Sequence, residues 1–169
     1  MTVVEEGTRS RVVNWTDPAR ARFALRNRDG FERLTAMKSG EAAPPHVVAA
    51  LGLTLEEVER GRTVFSLVAD ELHENPMGTM HGGVVATLVD TAMGCALSST
   101  LPADASFTTL ELSTKYVRAI TTGTGRVYAE GRVVHAGGRV ATTDARVYDE
   151  AGTLYAHATS TCLITRSPR

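Results

Sequence analysis

From residue 84 to residue 97 the chain reads Val-Val-Ala-Thr-Leu-Val-Asp-Thr-Ala-Met-Gly-Cys-Ala-Leu. Apolar side chains fall on every side of a helical wheel, and a helix without a wide polar face is buried nearly all round. The pattern predicts a helix over 83–98, opened by a His81-Gly82-Gly83 corner. Four runs rich in β-branched and aromatic residues follow at 107–118, 124–135, 139–148 and 153–164, with turns at 121–125, 136–138 and 149–152. Val140, Thr142, Asp144 and Arg146 alternate with Ala141, Thr143, Ala145 and Val147, the signature of a strand with one buried face. Links this short permit hairpins and exclude βαβ crossovers, so a mainly antiparallel sheet is expected. Two further strands are predicted at 53–59 and 63–69, around a turn at Arg60-Gly61. A helix of about sixteen residues is about 24 Å long, which matches strands of about seven to nine residues. The predicted fold is therefore α+β: a curved antiparallel sheet of five to six strands wrapped around one central helix.

The N-terminal quarter has a different texture. Residues 1–14 show no period and read as a trailing arm. Asp17 is placed to cap a helix that Pro18 opens, running over 19–28 and closed by Gly30. Phe31, Leu34 and Met37 recur at helical spacing, Pro44-Pro45 breaks the pattern, and 46–51 gives another turn or two before Gly52. The expected division is an arm with short helices over 1–43 and one domain over 44–169.

Charge removes some functions from consideration. The formal net charge is −1 over 169 residues, so nothing draws the chain in bulk to nucleic acid or to an anionic membrane. Arginines at 9, 11, 20, 22, 26, 28 and 33 are interleaved with Asp17, Asp29 and Glu32 and read as a solvated helix face. Residues 83–97 are too few and too polar to span a bilayer. Cys95 and Cys162 lie in apolar segments with no metal-ligand spacing, which suits a reduced, cytoplasmic protein without a metal site. The first residues carry neither a basic cluster nor an apolar run of the secretory kind.

One carboxylate, Asp90, stands in the apolar helix, and an ionised carboxylate there is costly unless something pairs with it. The residues around it carry a resemblance. Asn75-Pro-x-Gly-x-x-His81-Gly82-Gly83 followed by Asp90, with Thr108-Thr109-Leu-Glu-Leu and Leu154-Tyr-Ala-His-Ala, resembles the hotdog-fold acyl-CoA thioesterases of the phenylacetate-degradation (PaaI-like) type. The resemblance covers residues 44–165. It implies a hotdog fold and hydrolysis of an acyl- or aryl-acyl-CoA thioester to free acid and CoA, without metal or cofactor. It also implies a homodimer with a continuous sheet and active sites at the seam, commonly paired into a homotetramer.

The chemistry of such a reaction assigns candidate roles. Helix N-termini present N–H groups without intrahelical partners and with partial positive charge. Gly82 and Gly83 sit at that terminus and, lacking Cβ, admit a substrate carbonyl closely. Gly82 N–H is the candidate principal oxyanion donor, with Gly83 next. Asp90 lies about two turns further on with Ala86, Thr87, Met93 and Gly94 beside it, and the family role is a general base or a nucleophile. Similarity to the family implies that Asn75 positions the water or the carbonyl, and that His81 fixes the oxyanion loop. Thr109 or Thr108 would orient the attacking water; they point to opposite faces of a strand, and the motif favours Thr109. For the phosphates of CoA, Arg139 after Ala136-Gly137-Gly138 is the first candidate, with Gly138, His135 and Arg118 in support. Two other readings compete: a hotdog hydratase or dehydratase, whose differently spaced His/Asp or His/Glu pair is absent here, and a non-catalytic acyl-CoA-binding sensor.

Overall fold

The computed structural model describes residues 7–20 and 25–166. Three helices are labelled α1 (Gly30–Lys38), α2 (His46–Leu51) and α3 (Gly82–Ser98). Six strands accompany them: β1 (Thr54–Glu59), β2 (Arg62–Val68), β3 (Ala105–Tyr116), β4 (Arg126–Ala136), β5 (Val140–Asp149) and β6 (Leu154–Arg166). They form one sheet in the order β1-β2-β4-β5-β6-β3, and every neighbouring pair is antiparallel. This is the expected α+β hotdog arrangement, a sheet around the central helix α3.

Burial explains why α3 lies in the sheet's concavity. Val85, Leu88, Val89, Ala92 and Met93 are buried with Phe65, Leu67, Val127, Ala129 and Val147 of the sheet, and Leu97 is buried with Ala105, Ala141, Cys162 and Ile164. Each large apolar side chain contributes on the order of 1.5–3 kcal/mol. Strand β4 approaches so closely that a Cβ on Gly131 would stand 2.4–2.6 Å from the backbone of Ala92 and Met93. Only glycine fits there. On the adjacent strand Thr63 Oγ1 donates to the Ala92 carbonyl at 2.7 Å, which satisfies a buried hydroxyl.

The structure departs from the sequence expectations after β3 and around α1. Strands β3 and β4 are consecutive but not a hairpin: the link over 117–125 carries the chain from the sheet's edge back to its middle, and β3 pairs with β6 instead. Gly30 opens a helix rather than closing one. Asp29 caps α1 in a capping box with Glu32, and a Cβ on Gly30 would strike the Ser98 carbonyl at 1.7 Å. The helix expected over 19–28 falls partly outside the described residues; 18–20 are helical and 25–27 form a turn. Residues 7–16 are irregular, as the lack of period implied, with an exposed ion pair from Arg9 to Glu71 at 2.6 Å and a contact from the Thr16 carbonyl to His46 Nε2 at 2.9 Å.

A bulge in β3 decides which of its side chains meet the central helix. Thr109 pairs with Cys162 and Glu111 with Thr161, so Leu110 is an extra residue. An extra residue exchanges the two faces of a strand. Phe107 and Thr109 face α3 before the bulge, and Leu112, Thr114 and Tyr116 face it afterwards, opposite the inward Ser160, Ala158 and Ala156.

Candidate active site

The first turn of α3 is held by side chains as well as by its own ladder. His81 is the N-cap, and its Nδ1 accepts the Gly83 N–H at 2.9 Å. The neutral ring therefore carries its proton on the exposed Nε2. The His81 N–H donates to the His73 carbonyl at 2.7 Å, and the His81 carbonyl accepts the N–H groups of Val84 at 2.9 Å and Val85 at 3.3 Å. Gly83 N–H is thus already engaged, which removes it as a free donor to a substrate. Gly82 N–H finds no acceptor among the described residues and is the donor left open. From the far end of β3, the Tyr116 hydroxyl donates to the Gly82 carbonyl at 2.8 Å.

Asn75 builds the loop that leads into this turn. Its Oδ1 accepts the N–H of Met77 at 2.9 Å and of Thr79 at 3.3 Å, and its Nδ2 donates to Thr79 Oγ1 at 2.9 Å. Its backbone N–H donates to the Thr79 carbonyl at 2.8 Å, closing the loop on itself. This is the Asx-turn chemistry of a residue before proline. The side chain is half-buried and lines the cavity beside Gly82.

Asp90 lies under β3. Thr109 Oγ1 donates to Asp90 Oδ1 at 3.0 Å, and Oδ2 accepts no hydrogen bond among the described residues. That contact separates the two threonines: Thr109 faces the carboxylate, and Thr108 is exposed on the other face. Gly94, one turn beyond Asp90, lies against the Phe107 ring, with its would-be Cβ at 2.9 Å. Burial pushes the Cys95 thiol up to about 12, and the negative charge of Asp90 adds to the effect. Cys95 is therefore a protonated, unreactive thiol at neutral pH. Beyond the first turn, Thr87, Asp90, Thr91, Cys95 and Ser98 form a half-buried stripe along α3. Nearly all of the helix's polar groups lie on it.

The comparisons with known proteins bear on this geometry. The profile of the Thioesterase superfamily matches residues 77–156. A Halobacterium salinarum protein that carries the name "Putative esterase" is 31% identical over 118 residues, spanning 67% of this chain and 76% of its own. The chain belongs to the thioesterase superfamily. Its members hydrolyse thioesters, and this chain is an enzyme of that kind. Among solved structures, a phenylacetic acid degradation-related protein of Ralstonia eutropha superposes with a TM-score of 0.70 at 28% identity, over 76% of this chain and 97% of that one. A conserved protein of Pseudomonas aeruginosa gives 0.68 at 30% identity, over 72% and 95%. A Haemophilus influenzae thioesterase, at 20% identity and a TM-score of 0.69 over 80% and 90%, shares the fold.

Within this thioesterase the remaining candidates separate by position along α3. Arg118 lines a cavity of about 300 Å³ at the helix N-terminus, together with Asn75, Gly82, Tyr116, Ile120 and Tyr155. His135, Gly138 and Arg139 are exposed at the β4–β5 hairpin. That hairpin lies toward the other end of α3, since Val133 and Thr100 both pack near Gly61. One chain therefore does not gather all four around one point. Among the described residues, no helix is long and apolar enough to cross a membrane. Tyr116 has no place among the residues that the sequence pointed to. A readable signal existed: the apolar positions of β3 change parity from Phe107 to Leu112 and Tyr116, which marks the bulge.

Proposed function

We propose that the protein is an acyl-CoA thioesterase whose active sites are shared between two subunits. The observation that carries the second half of this reading is a length. Gly82 and Asp90 are eight residues apart on one helix, roughly 12 Å along its axis. A reacting carbonyl must lie about 3 Å from its oxyanion donor and within reach of a base-activated water. One subunit's Gly82 and Asp90 are too far apart for one thioester. A second copy running antiparallel across the β3 edge brings Gly82 of one subunit to Asp90 of the partner subunit. The edge suits this, because among the described residues β3 pairs only with β6, and Leu110 and Tyr116 of β3 and Val117 just beyond it are exposed.

In the proposed reaction the thioester oxygen accepts Gly82 N–H, and the exposed His81 Nε2–H lies at the same helix end as a second donor. Asp90 of the partner subunit, steadied on Oδ1 by its own Thr109, uses Oδ2 to take a proton from water as the water oxygen attacks the carbonyl carbon. The tetrahedral intermediate then collapses. The C–S bond breaks, the proton returns to sulfur, and free acid and CoA leave. Helix-terminal N–H groups are already aimed where the oxyanion develops, so they cost no reorganisation at that moment. Arg118 and the Arg139 hairpin, from opposite ends of two antiparallel subunits, are the proposed phosphate contacts, with His135 and Gly138 beside Arg139. A CoA thioester as substrate and free thiols suit the cytoplasm.

The purified protein is expected to release free CoA, read with a thiol reagent, from phenylacetyl-CoA or a medium-chain acyl-CoA. Sedimentation should show a dimer or the homotetramer of two dimers. When an inactive Gly82 variant and an inactive Asp90 variant are mixed and allowed to exchange subunits, shared sites regain up to about a quarter of wild-type activity per site. No recovery despite proven exchange would mean that each site is self-contained.

A further inference from the structure

The peptide unit between Gly82 and Gly83 is tied at both ends. Its carbonyl accepts the Tyr116 hydroxyl at 2.8 Å, and its N–H donates to His81 Nδ1 at 2.9 Å. The preceding unit, which carries the open Gly82 N–H, is tied through the His81 carbonyl to Val84 and Val85. The two planes meet at the Cα of Gly82, a residue with no side chain to limit rotation between them. First-turn N–H groups lack the intrahelical acceptors that hold the rest of a helix. The direction of Gly82 N–H is therefore set by what holds the planes on either side of it.

Tyr116 occupies the space where a side chain on residue 82 would go. A Cβ built on Gly82 would stand 3.1 Å from Tyr116 Oη and 3.2 Å from Cζ. Glycine and tyrosine are thus a matched pair: the ring closes over the bare Cα, and the hydroxyl reaches the carbonyl behind it. Within one subunit this aromatic is 56% exposed, so packing inside the subunit does not account for its position. It faces the helix because the Leu110 bulge exchanged the faces of β3.

We infer that Tyr116 is a positioning residue that fixes the direction of the Gly82 N–H toward the thioester oxygen. The inference rests on the proposed role of Gly82 as oxyanion donor. Tyr116 does not touch the reacting atoms and acts through the Gly82–Gly83 peptide.

The experiment uses the full-length protein and two readouts. In kinetics with phenylacetyl-CoA or hexanoyl-CoA, Tyr116→Phe should lower kcat about tenfold with KM within about twofold, since only the hydroxyl is lost. Gly82→Ala should lower kcat by about a hundredfold by displacing the ring. Adding Tyr116→Ala to it should leave the double variant no slower than Tyr116→Ala alone, because each change breaks the same clamp. In amide hydrogen exchange followed by NMR, Tyr116→Phe should speed exchange at Gly83 about tenfold, with the sheet amides unchanged. A wild-type kcat and Gly83 exchange rate in Tyr116→Phe, or multiplied losses in the double variant, overturns the clamp. Asp90→Asn, run alongside, separates the two ideas: full activity there sinks the reaction scheme, while the exchange readout still decides on Tyr116.

Discussion

The first turn of α3 and its middle are built in opposite ways, although both lie on the same helix. At the first turn the chemistry is in the backbone. Gly82 offers an N–H with no acceptor among the described residues, and His81 and Tyr116 hold the peptide around it from outside. In the middle the chemistry is in a side chain. Asp90 is flanked by buried apolar residues, with Thr109 donating to one oxygen and a second oxygen left unbonded among the described residues. A helix N-terminus gives directed N–H groups at no cost in burial, whereas the mid-helix carboxylate takes its hydrogen-bond donor from the strand that covers it. The two features need different tertiary support, and β3 supplies both, with Thr109 before its bulge and Tyr116 after it.

If the middle holds the base, Asp90→Asn carries the largest effect: kcat should fall about a thousandfold with KM little changed. Retention of full activity would assign proton transfer elsewhere. Next comes the partnership between the two features. Leu110→Lys places a charge on the exposed β3 edge, where it should shift the sedimenting species to monomer and reduce activity more than about tenfold. An active monomer would return both halves of the site to one chain.

Smaller effects sharpen the contrast between the threonines and between the environments. Thr109→Val should lower kcat about tenfold by releasing Asp90 Oδ1, while Thr108→Val stays within about twofold. Equal losses in the two variants would remove the distinction between the faces. The smallest effect is one of stability. Burial and the Asp90 charge keep the folded Cys95 protonated up to about 12, whereas a free thiol has an ordinary value of 9.0. Above that value the unfolded chain releases a proton that the folded chain keeps, so this contribution to stability is complete below pH 9.0 and declines as pH rises toward about 12. Unfolding midpoints of wild type and Cys95→Ala should diverge over that window, with wild type the one that falls faster. Parallel curves would show that Cys95 is not in an apolar, anionic environment.

Much of this was legible in the chain alone. The apolar run over 84–97 and the alternation in β5 gave the helix, the strand and the wrapped sheet, because burial on all sides or on one side leaves a periodic mark. The motif gave Asn75, His81, Gly82, Asp90 and Thr109 as candidates. Other features leave no local mark. That β3 crosses the sheet to pair with β6 depends on which strand offers a free edge, and residues 117–125 would serve a hairpin as well as a crossover. Gly30 reads as a helix stop by composition, yet it starts α1, which Asp29 and Glu32 cap, and it is glycine because the Ser98 carbonyl leaves no room for a Cβ.

By itself, then, the sequence determined that Asp90 sits in a buried helix, that Gly82 sits at its start, and that a mainly antiparallel sheet surrounds both. These follow from side-chain chemistry and periodicity, which are properties of neighbours in the chain. Only the tertiary structure decided which donors are free. Gly83 N–H is taken by His81, Gly82 N–H is left open, Thr109 rather than Thr108 reaches Asp90, and Tyr116 closes over Gly82. Each of these depends on a hydrogen bond a few ångströms long between groups that folding brings together, and the β3 contacts depend on one extra residue, Leu110, that turns a strand's faces over.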